Sequence, residues 1–180
     1  MVLACCALVP TVAFGQTSAP PNTSGGVSPT DPQFQPAPKA KIVGGLAIPP
    51  LGAPQEVVDA IDAANQIVTK PYIYGGGHRS FVSKGYDCSG SVSFALHGAG
   101  LVDSPLDSSD FMHWGLRGKG KWITVYTNPS HAFVIIAGLR FDTGYRDRMG
   151  KAHGAAPGTG PRWGGPRPTR GYHARHPEGL

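Results

Sequence analysis

Residues 85–101 read GYDCSGSVSFALHGAGL. Val92, Ala95, Leu96 and Ala99 recur at helical spacing, and Cys88 lies one turn before Val92 on the same face. The stretch therefore predicts an amphipathic helix with a thiol at its mouth, ending near Gly98 and Gly100. Asp87, Ser89 and Ser91 surround that cysteine with polar groups. Two readings of Cys88 stand. Free cysteines are commonly buried as small hydrophobes. A helix N-terminus, however, stabilises a thiolate through its unpaired N–H groups and partial positive charge. The N–H groups of Cys88 and Ser89 would also suit the oxyanion of a tetrahedral intermediate.

The other two cysteines, Cys5 and Cys6, fall in Met1–Gln16, MVLACCALVPTVAFGQ. This segment is apolar, ends in small residues and is too short to span a bilayer, so it reads as a secretory signal (residues 1–16). The run VLAC offers a lipoprotein alternative at Cys5. Removal of the signal leaves Cys88 as a single thiol in an exported chain, either paired between molecules or free and reactive. Residues 17–52, rich in Pro, Ser, Gly and Thr, read as a disordered linker in which KIVGGLAI is the one piece suited to docking. Nothing further along is apolar enough for a transmembrane span.

Upstream of the cysteine, APQEVVDAIDAANQIVTKPY predicts a first helix. Pro54 suits its first turn, Val57, Ile61, Ala64 and Val68 share a face, and Pro71 ends it. YIYGGGHRSFVSKG is then a glycine-rich loop leading to Cys88. Downstream, SPLDSSDFMHWGL predicts a short helix capped by Asp107 or Ser108. The period then changes. KWITVYT, HAFVIIAG and LRFDT are β-branched and aromatic runs separated by Asn128-Pro129-Ser130 and by Gly138, the pattern of an antiparallel meander. A last short strand is expected at RGYHARH. Helices followed by strands define an α+β domain over residues 53–180, N-terminal helices packed on an antiparallel β-sheet.

The basic charge is confined to the end of the chain. Residues 140–180 hold eight of the sixteen Lys and Arg and three of the eleven acids, so the whole net charge of +5 resides there. Such a segment, from about 144 to 180, suits an anionic polymer, or serves solubility alone. Its interleaved Arg, Trp163 and Tyr172 also suit single-stranded nucleic acid, a partner that export argues against. The histidines lack metal-ligand spacing and Cys88 has no second cysteine, so no metal and no cofactor are expected.

A thiol nucleophile needs a base, and seven histidines compete. His131 differs from the rest because it opens the most apolar strand straight after a turn, where the sheet fixes it and a helix mouth can meet it. His97 turns away from the Cys88 face. His78, in the glycine-rich loop, either reaches the cleft or is solvated.

The segments PYIYGGG, YDCSGSVSFALHGAGL and HAFVIIAG together resemble the NlpC-type cell-wall cysteine peptidases, over about residues 53–143. The resemblance implies a papain-like fold and cleavage of peptidoglycan stem peptides beside the γ-linked D-glutamate. It implies Cys88 as nucleophile and His131 as base. Tyr74 and Asp87 would line the substrate cleft, with Ser89 holding the peptide's free amino end. Members of that family carry a polar residue, often His, on the next strand. Here that strand is LRFDT, which offers Asp142, with Thr143 as fallback. A Gly138-Leu139 turn would set Asp142 opposite Ile135, some way from the ring, and a strand-end aspartate paired with Arg140 or Arg146 is the competing account. The leading expectation is an exported, cofactor-free thiol hydrolase of the cell envelope. Its rivals are a non-catalytic wall-binding module using the basic segment and an acyltransferase using the same pair.

Overall fold

A computed structural model of the 180-residue chain describes residues 37–145, 154, 156 and 158–180. The expected signal segment, the expected linker up to residue 36, Arg146 and His153 lie outside the described residues.

The first helix, α1 (Gln55–Ile67), starts behind Pro54, whose extended backbone lets it cap an element it cannot enter as a hydrogen-bond donor. It buries Val57, Ala60, Ile61, Ala64 and Ile67. The second, α2 (Cys88–Gly98), departs from the amphipathic expectation because it is buried on several sides, serines included. Those serines bond to main chain: Ser91 Oγ to the Cys88 carbonyl at 2.8 Å and Ser93 Oγ to the Leu106 carbonyl at 3.0 Å. Hydrogen bonding is what allows a polar side chain to be buried at little cost. A 3₁₀ turn (Asp110–Met112) takes the place of the expected short helix, and Asp107 caps it by accepting from the Ser109 and Asp110 N–H groups.

The meander is present as β4 (Ile123–Asn128), β5 (His131–Ile136) and β6 (Leu139–Asp142), antiparallel throughout. The last strand expected at RGYHARH is present too, and two short strands that were not expected widen the sheet. β7 (Arg162–Gly164) extends it beyond β6, and β8 (His173–His176) lies between β4 and the two-residue β3 (Leu116–Arg117), giving the order β3-β8-β4-β5-β6-β7. One face of the sheet meets both helices in a core that includes Val57, Ile61, Val92, Leu96, Val125, Val134, Ile136 and Phe141. Each such side chain contributes about 1.5–3 kcal/mol by leaving water.

Part of the expected linker belongs to this domain. β1 (Lys41–Val43) and β2 (Leu46–Ile48) form a hairpin with Ala40 and Ala47 fully in the core. Asn65 of α1 pins it, accepting from the Ala47 N–H and donating to the Ala47 carbonyl, while the indole of Trp163 donates to the same Asn65 oxygen at 2.8 Å. Within KIVGGLAI, Ala47 thus closes the core beside α1 and Ile42 packs against it, while Val43, Leu46 and Ile48 stay exposed. Structure begins well before residue 53.

Candidate active site

Cys88 is the first residue of α2, and the loop before it is tight at Gly76, where a Cβ would stand 2.3 Å from the Gly85 carbonyl oxygen. A Cβ on Gly90 would stand 2.0 Å from the Gly76 carbonyl oxygen. Asp87 caps the helix, its Oδ1 accepting from the Gly90 N–H at 2.8 Å, and its Oδ2 accepts from the Gly75 N–H at 3.0 Å. The first intrahelical bond runs from the Ser91 N–H to the Asp87 carbonyl at 3.0 Å. The N–H groups of Cys88 and Ser89 precede it and point out of the helix mouth.

His131 is fixed by a two-residue turn. Asn128 Oδ1 accepts from the Ser130 and His131 N–H groups, each at 3.0 Å, and Asn128 pairs with His131 across the hairpin. The imidazole Nε2 lies 2.8 Å from Asp142 Oδ1. His131 also stands beside Cys88, whose thiol is acted on by both this imidazole and the Ala132 N–H. Asp142 is fully buried and takes two more donors, the Gly144 N–H on Oδ1 and the Arg140 guanidinium on Oδ2. Both accounts of the aspartate are therefore true at once: it faces the imidazole and it pairs with Arg140. Thr143 is buried and does not take the ring nitrogen.

The β5–β6 turn explains how this is reached. It is Ala137-Gly138, not Gly138-Leu139, with φ of 45° and 80° at its two central residues. Ile136 then pairs with Leu139 and Val134 with Phe141. One further step sets Asp142 across from Phe133, diagonal to His131, instead of across from Ile135.

Electrostatics follow from the geometry. Burial pushes the Cys88 thiol up, but the His131 hydrogen bond, the Ala132 N–H and the imidazolium charge outweigh it, and Cys88 titrates below the ordinary thiol range. Burial likewise opposes charge on His131, yet its bonds to Asp142 and Cys88 push its pKa up to about 9. For Asp142, burial is outweighed by His131, Arg140 and the Gly144 N–H, which hold the carboxyl below the usual carboxylate value. The favoured state is a thiolate–imidazolium pair backed by a carboxylate.

The other expected site residues divide. Tyr74 is 89% exposed on the rim of the glycine-rich loop, next to Gly75, which Asp87 anchors. Asp87 and Ser89 are buried, so neither opens freely toward a peptide amine. His78 is what reaches them: its Nε2 lies 3.0 Å and 2.9 Å from the two Asp87 oxygens and 3.1 Å from Ser89 Oγ, with a third of its side chain exposed. His97 stacks on Phe81 and bonds the Val102 carbonyl, away from the site. Tyr172, from the basic segment, stands edge-on to the His131 ring at 6.2 Å. Among that segment's described cations, Arg162 is buried on the Gly160 carbonyl, Arg167 bonds the Gly144 carbonyl and Arg175 the Met112 carbonyl, while Arg170 is exposed. Trp163 packs in the core.

A helix-mouth thiol facing a strand-borne imidazole, on helices layered over one antiparallel sheet, defines the papain-like NlpC-type α+β fold that the sequence resemblance implies. Among solved structures the chain is similar to the peptidoglycan hydrolase RipB from Mycobacterium tuberculosis, at 19% identity over 72% of this chain and 68% of that one, with a TM-score of 0.50. An NlpC/P60 family protein from Bacillus cereus aligns at 20% identity over 67% of this chain and 39% of its own, with a TM-score of 0.46. No protein-family model matches the sequence, and no curated protein matches it.

Proposed function

We propose that this chain is a cysteine peptidase of the cell envelope that hydrolyses peptidoglycan stem peptides, in the γ-D-glutamyl position that the family resemblance implies. The observation that carries the reading is the single line from Cys88 at the helix mouth through His131 to Asp142. Likeness in fold to a peptidoglycan hydrolase supports the substrate class.

The reaction needs nothing beyond these residues and water. The Cys88 thiolate attacks the scissile carbonyl, and the oxyanion collects at the Cys88 and Ser89 N–H groups. The His131 imidazolium gives its proton to the departing amine as the C–N bond breaks, leaving a thioester on Cys88. Neutral His131 then takes a proton from water, whose oxygen displaces the thiolate and restores the pair. Asp142 holds the ring in the productive tautomer and stabilises its charged form. Tyr74 lines the cleft. Asp87 and Ser89 act from behind His78, which presents their polarity to the substrate.

Incubation of the chain without residues 1–16, and of its Cys88→Ala variant, with purified muropeptides is the test, read by mass spectrometry. New stem-peptide fragments that vanish with the variant are expected. Intact muropeptides with the native thiol would overturn the reading. Among the described cations of the basic segment, Arg162, Arg167 and Arg175 are engaged within the protein and Arg170 is exposed, so a wall-binding role would rest on other residues than those three.

A further inference from the structure

We propose that Arg140 is a positioning residue of the same site: its buried guanidinium locks the Asp142 carboxylate so that the opposite oxygen stays on the imidazole that activates Cys88. The inference rests on the Cys88–His131 pair of the proposed function and names the group that holds it from behind.

Arg140 is only 5% exposed. Its Nε and Nη2 reach Asp142 Oδ2 at 2.8 and 2.5 Å. Its Cζ lies 3.4 Å from the centroid of the Phe133 ring, which is itself stacked on Tyr126 at 5.2 Å. A lysine ammonium offers neither the planar fork nor the stacking face, so these contacts are particular to arginine. With Arg140 on Oδ2, and His131 and Gly144 on Oδ1, the carboxylate cannot turn without breaking a buried hydrogen bond.

Charge points the same way. Thiolate, imidazolium, carboxylate and guanidinium alternate in sign from Cys88 to Arg140 and sum to zero. Without Arg140 the set is left with a net negative charge in a site largely closed to water, where a buried unpaired carboxylate is costly. Among the described residues, the other titratable or charged groups around this set are Asp87 before α2, Tyr145 after β6, and Arg167 and Tyr172 from the C-terminal segment. Tyr145 is pushed up to about 12 and Tyr172 is raised, both chiefly by burial, so neither ionises in the range of interest. Arg167 lies over the Tyr145 ring at 5.4 Å and bonds the Gly144 carbonyl, whereas the Arg140 guanidinium bonds Asp142 itself.

The test reads the thiol directly and needs no peptide substrate. The rate of Cys88 alkylation by iodoacetamide is followed against pH on the full chain, with the modified residue identified by mass spectrometry to separate it from Cys5 and Cys6. For Arg140→Met the acid-side midpoint is expected to rise by about one pH unit, so alkylation on that limb slows about tenfold. Arg140→Gln, which keeps a donor but not the charge, carries the same comparison should the Met variant not fold. In an Asp142→Asn background the same substitution should add less than about 0.3 unit, because the coupling runs through the carboxylate. A folded Arg140→Met or Arg140→Gln protein with the native midpoint would overturn the assignment, as would a full-sized shift in the Asp142→Asn background. A chain that alkylates as described but leaves muropeptides intact supports the Arg140 assignment and overturns the peptidase reading alone.

Discussion

Asp142 Oδ1 lies 2.8 Å from His131 Nε2 although the two residues are diagonal, not opposite, across the β5–β6 ladder. Diagonal neighbours stand about 7–8 Å apart at the backbone, within reach of an imidazole and a carboxylate that lean toward each other. Replacing the aspartate separates its two duties. Asp142→Asn should lower kcat by on the order of 10²- to 10⁴-fold, because an amide does not impose the same ring tautomer or stabilise the imidazolium. It should also cost about 3–5 kcal/mol of stability, since Arg140 loses its buried partner. Thr143→Val should leave kcat/KM within a few-fold. Steady-state rates and denaturant melts on the two variants decide the matter, and an inactive Thr143→Val beside an active Asp142→Asn would reverse the assignment.

The two shifts of the reactive pair define a pH window for activity. Cys88 loses its proton below the ordinary thiol range and His131 keeps its proton up to about 9. Activity should therefore rise as the thiolate forms on the acid side and fall as the imidazolium deprotonates near pH 9. Alkylation of Cys88 should follow the acid limb. A His131→Gln variant should lose peptide cleavage by about a thousandfold or more and move the alkylation midpoint up toward the free-thiol value. An unchanged midpoint in that variant would dissolve the ion pair.

Stability should behave differently from activity. A raised His131 contributes stability that is fully present below its unfolded value near 6.5 and is lost as pH rises through about 9. A lowered Cys88 contributes stability fully present above its unfolded value near 9.0, lost as pH falls through its folded value. Above both 6.5 and the folded Cys88 value, and up to about 9, folded and unfolded chains thus hold the same number of protons, the folded chain's on imidazole and the unfolded chain's on sulfur, and the slopes cancel. The melting temperature should be insensitive to the pair across that window. In Cys88→Ala only the histidine slope survives, and the variant should lose stability relative to the native chain as pH rises across that window. Parallel melting curves across the window would show that the proton is not exchanged within the pair.

What was legible in the sequence was whatever local pattern dictates. The helix at Cys88, the helix before it and the three meander strands follow from periodicity and turn residues, and His131 stood out because a strand start after Asn128-Pro129-Ser130 is rigid. The turn at Ala137-Gly138 was one residue off in expectation. An alanine at φ of 45° is uncommon, and here it is held by main-chain bonds from the Ala137 N–H to Trp122 and from the Ala40 N–H to the Ala137 carbonyl. That single step moved Asp142 by two residues relative to β5. Arg140 was legible in principle, since residues two apart on a strand share a face. β7 was not, because a strand of three residues carries almost no period and finds its partner far away in the chain, and the strand expected at RGYHARH formed as β8 without its neighbours β4 and β3 being readable. The basic segment read as surface because arginines are rarely buried, and its internal bonds to carbonyls are tertiary facts.

Two glycines of α2 allow the site and the scaffold to be tested separately. At Gly90 a Cβ would meet the Gly76 carbonyl oxygen at 2.0 Å, and that oxygen already accepts from the Asp87 N–H at 3.1 Å. Backbone cannot swing aside as a side chain does, so Gly90→Ala should push the glycine-rich loop and the first turn of α2 apart, carrying Cys88 with it. A displacement of about 1 Å at a reacting group is enough to lose on the order of 10²-fold in rate. At Gly98 the Cβ would meet Ala63 Cβ at 2.3 Å, where α2 crosses α1 at the end remote from the thiol. Alanine gains about 1 kcal/mol over glycine in a helix, but overpacking a tight crossing costs about 1–3 kcal/mol, so Gly98→Ala should be destabilised on balance. Per active thiol, however, its kcat/KM should stay near that of the native chain. Thiol titration, rates and melts on both variants distinguish the two effects: a Gly98→Ala protein as inactive per thiol as Gly90→Ala would mean that the helix moves as a rigid rod and that the catalytic geometry depends on both of its ends.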